Sequence, residues 1–168
     1  MSEPYKLATP QEISNARYII QSYLSKSYND PQGIIADYDK DPFEDNWYVR
    51  MHGISKEAIT LWLILKQRSL FLECHFMPLP EVNKCQCYEY LLKKNNSLVG
   101  YKFSIGETAV YLISHIAISQ ISYQELDRLL GSAWSYTEAF FATAMEIGFK
   151  GKYRYRPKSI PVFWRQKQ

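Results

Sequence analysis

Three groups of residues in this chain have types that could support chemistry, and each is weakened by its spacing. Asp37, Asp39 and Asp41 reproduce the opening of an EF-hand loop. Pro42 then stands where that loop needs glycine, and Tyr48 where it needs the bidentate glutamate, so a solvated acidic loop is the better reading. Cys74-His75 and Cys85-x-Cys87 suggest a zinc site. On a strand Cys74 and His75 point to opposite faces, and on a helix Cys85 and Cys87 lie about 200° apart, so neither pair chelates. They read as buried structural thiols. His52 and His75 fall on one face of two strands separated by a third, about 10 Å apart, too far for a shared metal or a direct acid–base pair. His115 joins that face only if its strand pairs in the right register. No serine or cysteine has a motif-supported histidine partner, and no glycine-rich phosphate loop is present. The sequence therefore predicts no catalytic residues, no metal and no cofactor.

The elements that position these residues are legible from capping and periodicity. Thr9-Pro10-Gln11-Glu12 is a helix start with a capping box and proline at the first helical position. Ile13, Ala16, Ile20 and Leu24 form the stripe of that helix, which is expected to end near Ser27. Residues 28–46 hold Pro31, Gly33, Pro42 and six acids, and read as an irregular acidic loop. Residues 47–52, 58–66 and 70–77 carry strand patterns joined by short links, which predicts an antiparallel meander. A second helix is expected from Glu81 to about Asn95, with Cys85, Tyr88, Leu91 and Leu92 on one side. Strands at 98–105 and 108–117 follow, joined through Gly106.

A long helix closes the fold. Ser122 and Glu125 form a capping box, and Gly148 is a stop signal. Leu126, Leu129, Leu130, Ala133, Tyr136, Thr137, Phe140, Ala144 and Met145 recur at helical spacing. The order helix, three strands, helix, two strands, helix predicts an α+β fold. It is a two-layer α/β domain with helices on one face of an antiparallel five-stranded sheet.

Strand alternation then divides the side chains. One face carries Trp47, Val49, Met51, Ile59, Leu61, Leu63, Leu65, Leu70, Leu72, Cys74 and Phe76, a complete core. The other carries Tyr48, Arg50, His52, Thr60, Trp62, Ile64, Phe71, Glu73 and His75. Aromatic anchors among titratable groups are what a partner-binding surface needs. Tyr48, Arg50, His52, Trp62, Phe71, Glu73 and His75 are therefore the candidate partner-binding residues.

Composition narrows the class further. The 168 residues fit one domain, and 46% hydrophobic content is that of a globular protein. No apolar run reaches the roughly 20 residues that span a bilayer, so no membrane partner is expected. The N-terminus has neither a basic nor an apolar signal region, and three cysteines suit a reducing compartment, so a cytoplasmic location is expected. Net charge is +3, but residues 150–168 hold seven bases and no acid, leaving 13 bases against 17 acids in the body. The expected organisation is one domain over residues 1–149 and a basic aromatic tail over 150–168. Lys150, Lys152, Arg154, Arg156 and Lys158, interleaved with Tyr153 and Tyr155, are candidate anion-binding residues. The alternation at 153–156 and at Ile160, Val162 and Trp164 favours a strap docked on the domain.

Several segments also resemble a known family. Residues 88–95 (YEYLLKKN), 101–112 (YKFSIGETAVYL) and 126–131 (LDRLLG), with Gly148-Phe149, are similar to the YbjN family of bacterial sensory transduction regulators. The likeness runs roughly from Trp47 to Phe149 and leaves out the tail. It implies a fold like that of type III secretion chaperones, with a five-stranded antiparallel sheet. Such chaperones are typically dimers that hold extended segments of partner proteins and have no catalytic activity. The resemblance supplies no catalytic residues. The expected function is a non-enzymatic protein- or peptide-binding regulatory domain, homodimeric, with the helix around Cys85, Tyr88 and Leu92 as a candidate dimer face. The alternative is binding of nucleic acid or another anionic ligand through the tail.

Overall fold

The structure is a computed structural model, and it describes residues 5–150 and 152. Helix α1 (Pro10–Tyr28) leads into strands β1 (Ile35–Lys40), β2 (Asn46–His52), β3 (Ala58–Leu65) and β4 (Ser69–Pro78). Helix α2 (Lys84–Lys94), strands β5 (Lys102–Ile105) and β6 (Ala109–Ala117), a 3-10 turn (Ile118–Gln120) and helix α3 (Tyr123–Gly148) complete the chain. The strands form one six-stranded antiparallel sheet in the order β1-β2-β3-β4-β6-β5.

The sixth strand corrects the five-stranded expectation. Residues 35–40 lie in the segment read as an acidic loop, yet they pair with β2 along its length. Asp37 and Asp39 are poor strand formers, and a bulge between Ile35 and Asp37 breaks the alternation, so that Ile35 and Tyr38, three residues apart, both turn toward the core. Their charge suits an edge strand, where it discourages pairing with another chain.

The core face is the one that alternation predicted. Trp47, Val49, Met51, Ile59, Leu61, Leu63, Leu70, Leu72, Cys74 and Phe76 are sealed from solvent, and Leu65 nearly so. Helices cover this face. Helix α1 packs on β1 and reaches β2, where Trp47 Nε1 donates to Gln21 Oε1 at 2.8 Å. Helix α3 packs on β4, where Phe141 meets Phe76 edge-on with ring centroids 6.0 Å apart. Helix α2 packs on α3 and ends at β5, where Asn95 Oδ1 accepts from Phe103 N at 2.7 Å.

Helix α1 realises its full capping box, with Glu12 N donating to Thr9 Oγ1 at 3.2 Å and Thr9 N to Glu12 Oε2 at 2.7 Å. At α3 only half of the expected box forms. Ser122 Oγ accepts from Glu125 N, while the Glu125 carboxylate turns to Arg128.

Three helix and strand details depart from the sequence reading. The buried stripe of α3 is Leu126, Leu129, Leu130, Ala133, Thr137, Phe141, Ala144 and Gly148, so Phe141 takes the place expected for Phe140 and Met145 is only partly covered. Two adjacent phenylalanines satisfy the periodicity almost equally well, and the tertiary partner Phe76 selects one.

Helix α2 starts at Lys84 rather than Glu81. Glu81 N and Val82 N both donate to Gly148 O, and Asn83 adopts a left-handed backbone with φ 48°. Its buried residues are Cys87 and Leu91, so Cys85 and Leu92 face outward and Tyr88 is half-covered. Strand β5 is also shorter than residues 98–105. Gly100 takes φ 75°, and Val99 N donates to Tyr136 Oη, which holds that approach outside the sheet.

Candidate functional site

Among the described residues no helix covers the second face of the sheet, and strand register sets its residues in rows. One row crosses all six strands as Asp39, Tyr48, Trp62, Glu73, Ile113 and Lys102. The next runs Asp37, Arg50, Thr60, His75, Tyr111 and Ser104. A third, shorter row holds Asn46, Ile64, Phe71 and His115. The seven residues proposed from sequence are thus on this face. Six lie within these three rows, while His52 lies one pair further along beside Ala58.

The middle of the face is aromatic. Trp62 is 42% exposed and Phe71 37%, large values for side chains of this size inside a sheet. Tyr48 and Trp62 pack with ring centroids 5.2 Å apart. Phe71 stacks on His115 at 5.7 Å and carries Lys66 Nζ 5.6 Å from its ring centre. Tyr5, held by Arg68 through its carbonyl, reaches His115 from the N-terminal segment with centroids 5.6 Å apart. His115 therefore does join the face, because β6 pairs with β4 through Phe71. Sequence alternation left the β1, β5 and β6 contributions unassigned. The signal that would have found Asp37 and Asp39 is their alternation with Tyr38, although the bulge after Ile35 puts them out of phase with that buried residue.

Titratable groups on the face are spread out rather than assembled. His75 meets the Tyr111 ring edge-on at 5.8 Å. Lys56 Nζ lies 3.2 Å from His75 Nδ1 and also donates to the His75 carbonyl. Burial, and then the Lys56 cation, hold the His75 pKa below its ordinary value. Burial pushes Lys56 itself down to about 8. The turn that carries Lys56 is clamped to α3. Ile54 N and Ser55 N donate to the Glu138 carboxylate at 2.8 and 2.7 Å, and Trp134 Nε1 donates to His52 O at 2.6 Å. Gly53 is required there, since a Cβ would sit 1.8 Å from Lys56 O.

The three cysteines are not brought together. Cys74 is buried beside Thr137 Oγ1, and burial raises its thiol pKa to about 11. Cys87 is buried and donates to Ala144 O, whereas Cys85 is exposed, which corrects its reading as a buried thiol. Asp37 and Asp39 lie on β1, and the Asp41 carboxylate caps Phe43 N and Glu44 N, so the three do not form a calcium loop. Among the described residues no cluster of three or more histidine, cysteine or acidic side chains could hold a metal. No helix among them is long and apolar enough to cross a membrane.

Of the tail residues proposed for anion binding, Lys150 is exposed and Lys152 pairs with Glu81 at 2.5 Å. Arg154, Arg156 and Lys158, with Tyr153, Tyr155, Phe163 and Trp164, lie outside the described residues.

No family model matches the chain. Uncharacterized proteins of Mycobacterium tuberculosis (Rv0487) and Mycobacterium leprae (ML2442) are each 27% identical to it over 103 residues, which is 61% of this chain. The match spans 56% of the length of those relatives. Among solved structures, a chain of the HopA1–SchA chaperone–effector complex is similar with a TM-score of 0.56 and 11% identity, over 80% of this chain and 99% of that one. The two-layer arrangement of helices on an antiparallel sheet is therefore a fold shared with a component of a chaperone–effector complex.

Proposed function

We propose that this chain is a non-enzymatic protein- or peptide-binding domain of chaperone-like type, and that the uncovered sheet face is its binding surface. The observation that carries this reading is the row Tyr48, Trp62, Glu73, Ile113 with Phe71 beside it: an aromatic and aliphatic centre that includes one acid, with further charge at both ends, and no covering element among the described residues. That is the anatomy of an interface core with a polar rim. Partner side chains would bury against Trp62 and Phe71, and Arg50, Glu73 and His75 would set register around them. The likeness to a chain of a chaperone–effector complex supports the same reading, as does the sequence resemblance to the YbjN regulators. In this proposal the protein is bacterial, cytoplasmic and homodimeric, as those families are.

Co-purification of the native protein, with mass identification of what accompanies it, tests the reading when repeated with Trp62→Arg and Phe71→Glu. The expected outcome is loss of a specific companion while the thermal midpoint moves by no more than about 2–4 °C, the shift expected for roughly 1 kcal/mol in a domain of this size. Retention of every companion by both variants would sink the proposal.

A further inference from the structure

The outer face has a property that its residues show only when placed in register. Its long row begins with an acid at one edge of the sheet and ends with a base at the other. Asp39 stands on β1 and Lys102 on β5, with the apolar centre between. Asp37 strengthens the acidic end. None of Asp37, Asp39, Arg50, Glu73 or Lys102 forms an ion pair among the described residues. Charges of opposite sign at opposite ends of a symmetric sheet are self-complementary, provided the sheet meets its own image turned end for end.

Resting on the reading of this face as a protein-binding surface, we propose that its occupant is a second copy of this chain, packed face to face about a two-fold axis parallel to the strands between β3 and β4. That axis keeps the rows in line and reverses the strand order. It sets Asp39 against Lys102 of the second copy, Tyr48 against Ile113, and Ile64 against Phe71. Glu73 of the second copy falls over Trp62, one diagonal from Arg50, within reach of that long side chain. Each unpaired charge of the long row then gains a partner, and Tyr48, Ile113, Ile64 and Phe71 each gain an apolar or aromatic neighbour.

The competing two-fold axis, perpendicular to the strands, places Asp39 on Asp39 and Lys102 on Lys102. Like charges at close quarters make that arrangement unfavourable. Of the two dyads that bring the faces together with their strands aligned, the charge pattern thus selects one.

Size is adequate. Six strands about 4.8 Å apart and three rows of residues give a flat footprint of about 500 Å². The relief of side chains such as Trp62, Phe71 and Arg50 brings the buried area towards the roughly 800 Å² per partner of an ordinary interface. Aligned sheets pack face to face about 10 Å apart, a gap that aromatic side chains from both sides fill. Among the described residues of the N-terminal segment, Tyr5 meets His115 in the short row.

Sedimentation of the full chain from about 1 to 100 μM tests the inference, because self-association depends on protomer concentration. The wild type is expected to dimerise. Asp39→Lys alone and Lys102→Asp alone should each weaken the dimer by about 10- to 100-fold, since each replaces two attractions per dimer with two repulsions. The double variant should recover association, and an equimolar mixture of the two single variants should form the heterodimer. Leu92→Glu, on the outward side of α2, should leave the dimer intact.

A wild-type monomer throughout the range overturns the inference. So does a dimer indifferent to the charge reversals, or one abolished by Leu92→Glu. The wider reading is tested separately: a monomer that still loses a foreign companion through Trp62→Arg keeps the binding face and removes only its proposed occupant.

Discussion

Leu61 and Trp62 are neighbours in β3, and they meet opposite worlds. Leu61 is sealed under the helices, while Trp62 is 42% exposed on the far side of the same strand. The contrast extends along β2, β3 and β4. Inward residues are almost all aliphatic, aromatic or thiol, and nearly all are buried. Outward residues mix tyrosine, tryptophan and phenylalanine with arginine, histidine and glutamate. A sheet face that only met water would be expected to be polar. The inner face thus records what folding needs, and the outer face records something else, which is why function is placed there. Variants that treat the two faces differently break or sharpen this contrast.

The largest effect is expected where α3 seals the inner face. Phe141→Ala should cost about 3–5 kcal/mol, as for a buried phenylalanine. Phe140→Ala should cost clearly less, because Phe140 is only partly covered, between Phe103 and Tyr136. Urea unfolding of both variants decides it. Equal losses would show that the stripe of α3 is wider than the packing against Phe76 indicates.

Next in size is the neighbour pair itself. Leu61→Ala should cost about 2–5 kcal/mol through the cavity it leaves. Trp62→Ala should cost about 1 kcal/mol, the value of its packing on Tyr48. If Trp62→Ala were as costly as Leu61→Ala, the outer face would be an ordinary core, and its reading as a binding surface would fall.

The legible and illegible parts of the sequence divide along the same line. Burial of alternate residues made the inner face of β2 to β4 readable residue by residue, because a single slip in register would turn its whole apolar set into water. Caps fixed the starts of α1 and α3. Three things were not local. Strand β1 was hidden by Asp37 and Asp39, whose side chains disfavour strands in isolation and are accepted at an edge. The choice of Phe141 over Phe140 depends on Phe76, 65 residues earlier. The start of α2 depends on Gly148 O, which occupies the amides of Glu81 and Val82. The outer face was readable as a composition, but its end-to-end charge order required the pairing of β5 and β6, which no alternation supplies.

A third difference between the faces is electrostatic and lies where they meet. Lys56 is drawn inward beside the Phe141 ring, with Nζ 5.7 Å from its centre, and burial lowers its pKa from 10.5 to about 8. Between these values the unfolded chain holds a proton that the folded chain has lost. Stability therefore rises with pH across that window, and the burial cost is fully present below about pH 8. The rise should amount to about 2–3 kcal/mol relative to a Lys56→Met variant, in which it disappears. Taking the difference between the two proteins removes the tyrosine and cysteine titrations they share. His75 has the same sign at lower pH: its depressed pKa means that stability falls as pH drops below about 6.5. A flat difference between wild type and Lys56→Met from pH 8 to 10.5 would show that Lys56 is solvated in solution.

The smallest effect comes from a polar group of the inner face that lacks a partner. Ser114 pairs across from Leu72 and so points inward, and its hydroxyl is buried with no hydrogen-bond partner among the described residues. An unmet hydroxyl in an apolar setting costs about 1–3 kcal/mol by mutational measures. Alanine differs from serine by that oxygen alone, so the cavity it leaves is small. Ser114→Ala should therefore be neutral or stabilising, by up to about 1 kcal/mol. On the outer face the contact to water makes comparable replacements nearly silent for a different reason, since exposed hydroxyls already have their partners. Calorimetry of Ser114→Ala separates the two cases: a clear loss of stability would mean that Ser114 has a partner in solution, such as a bound water, and that the inner face is less dry than its packing describes.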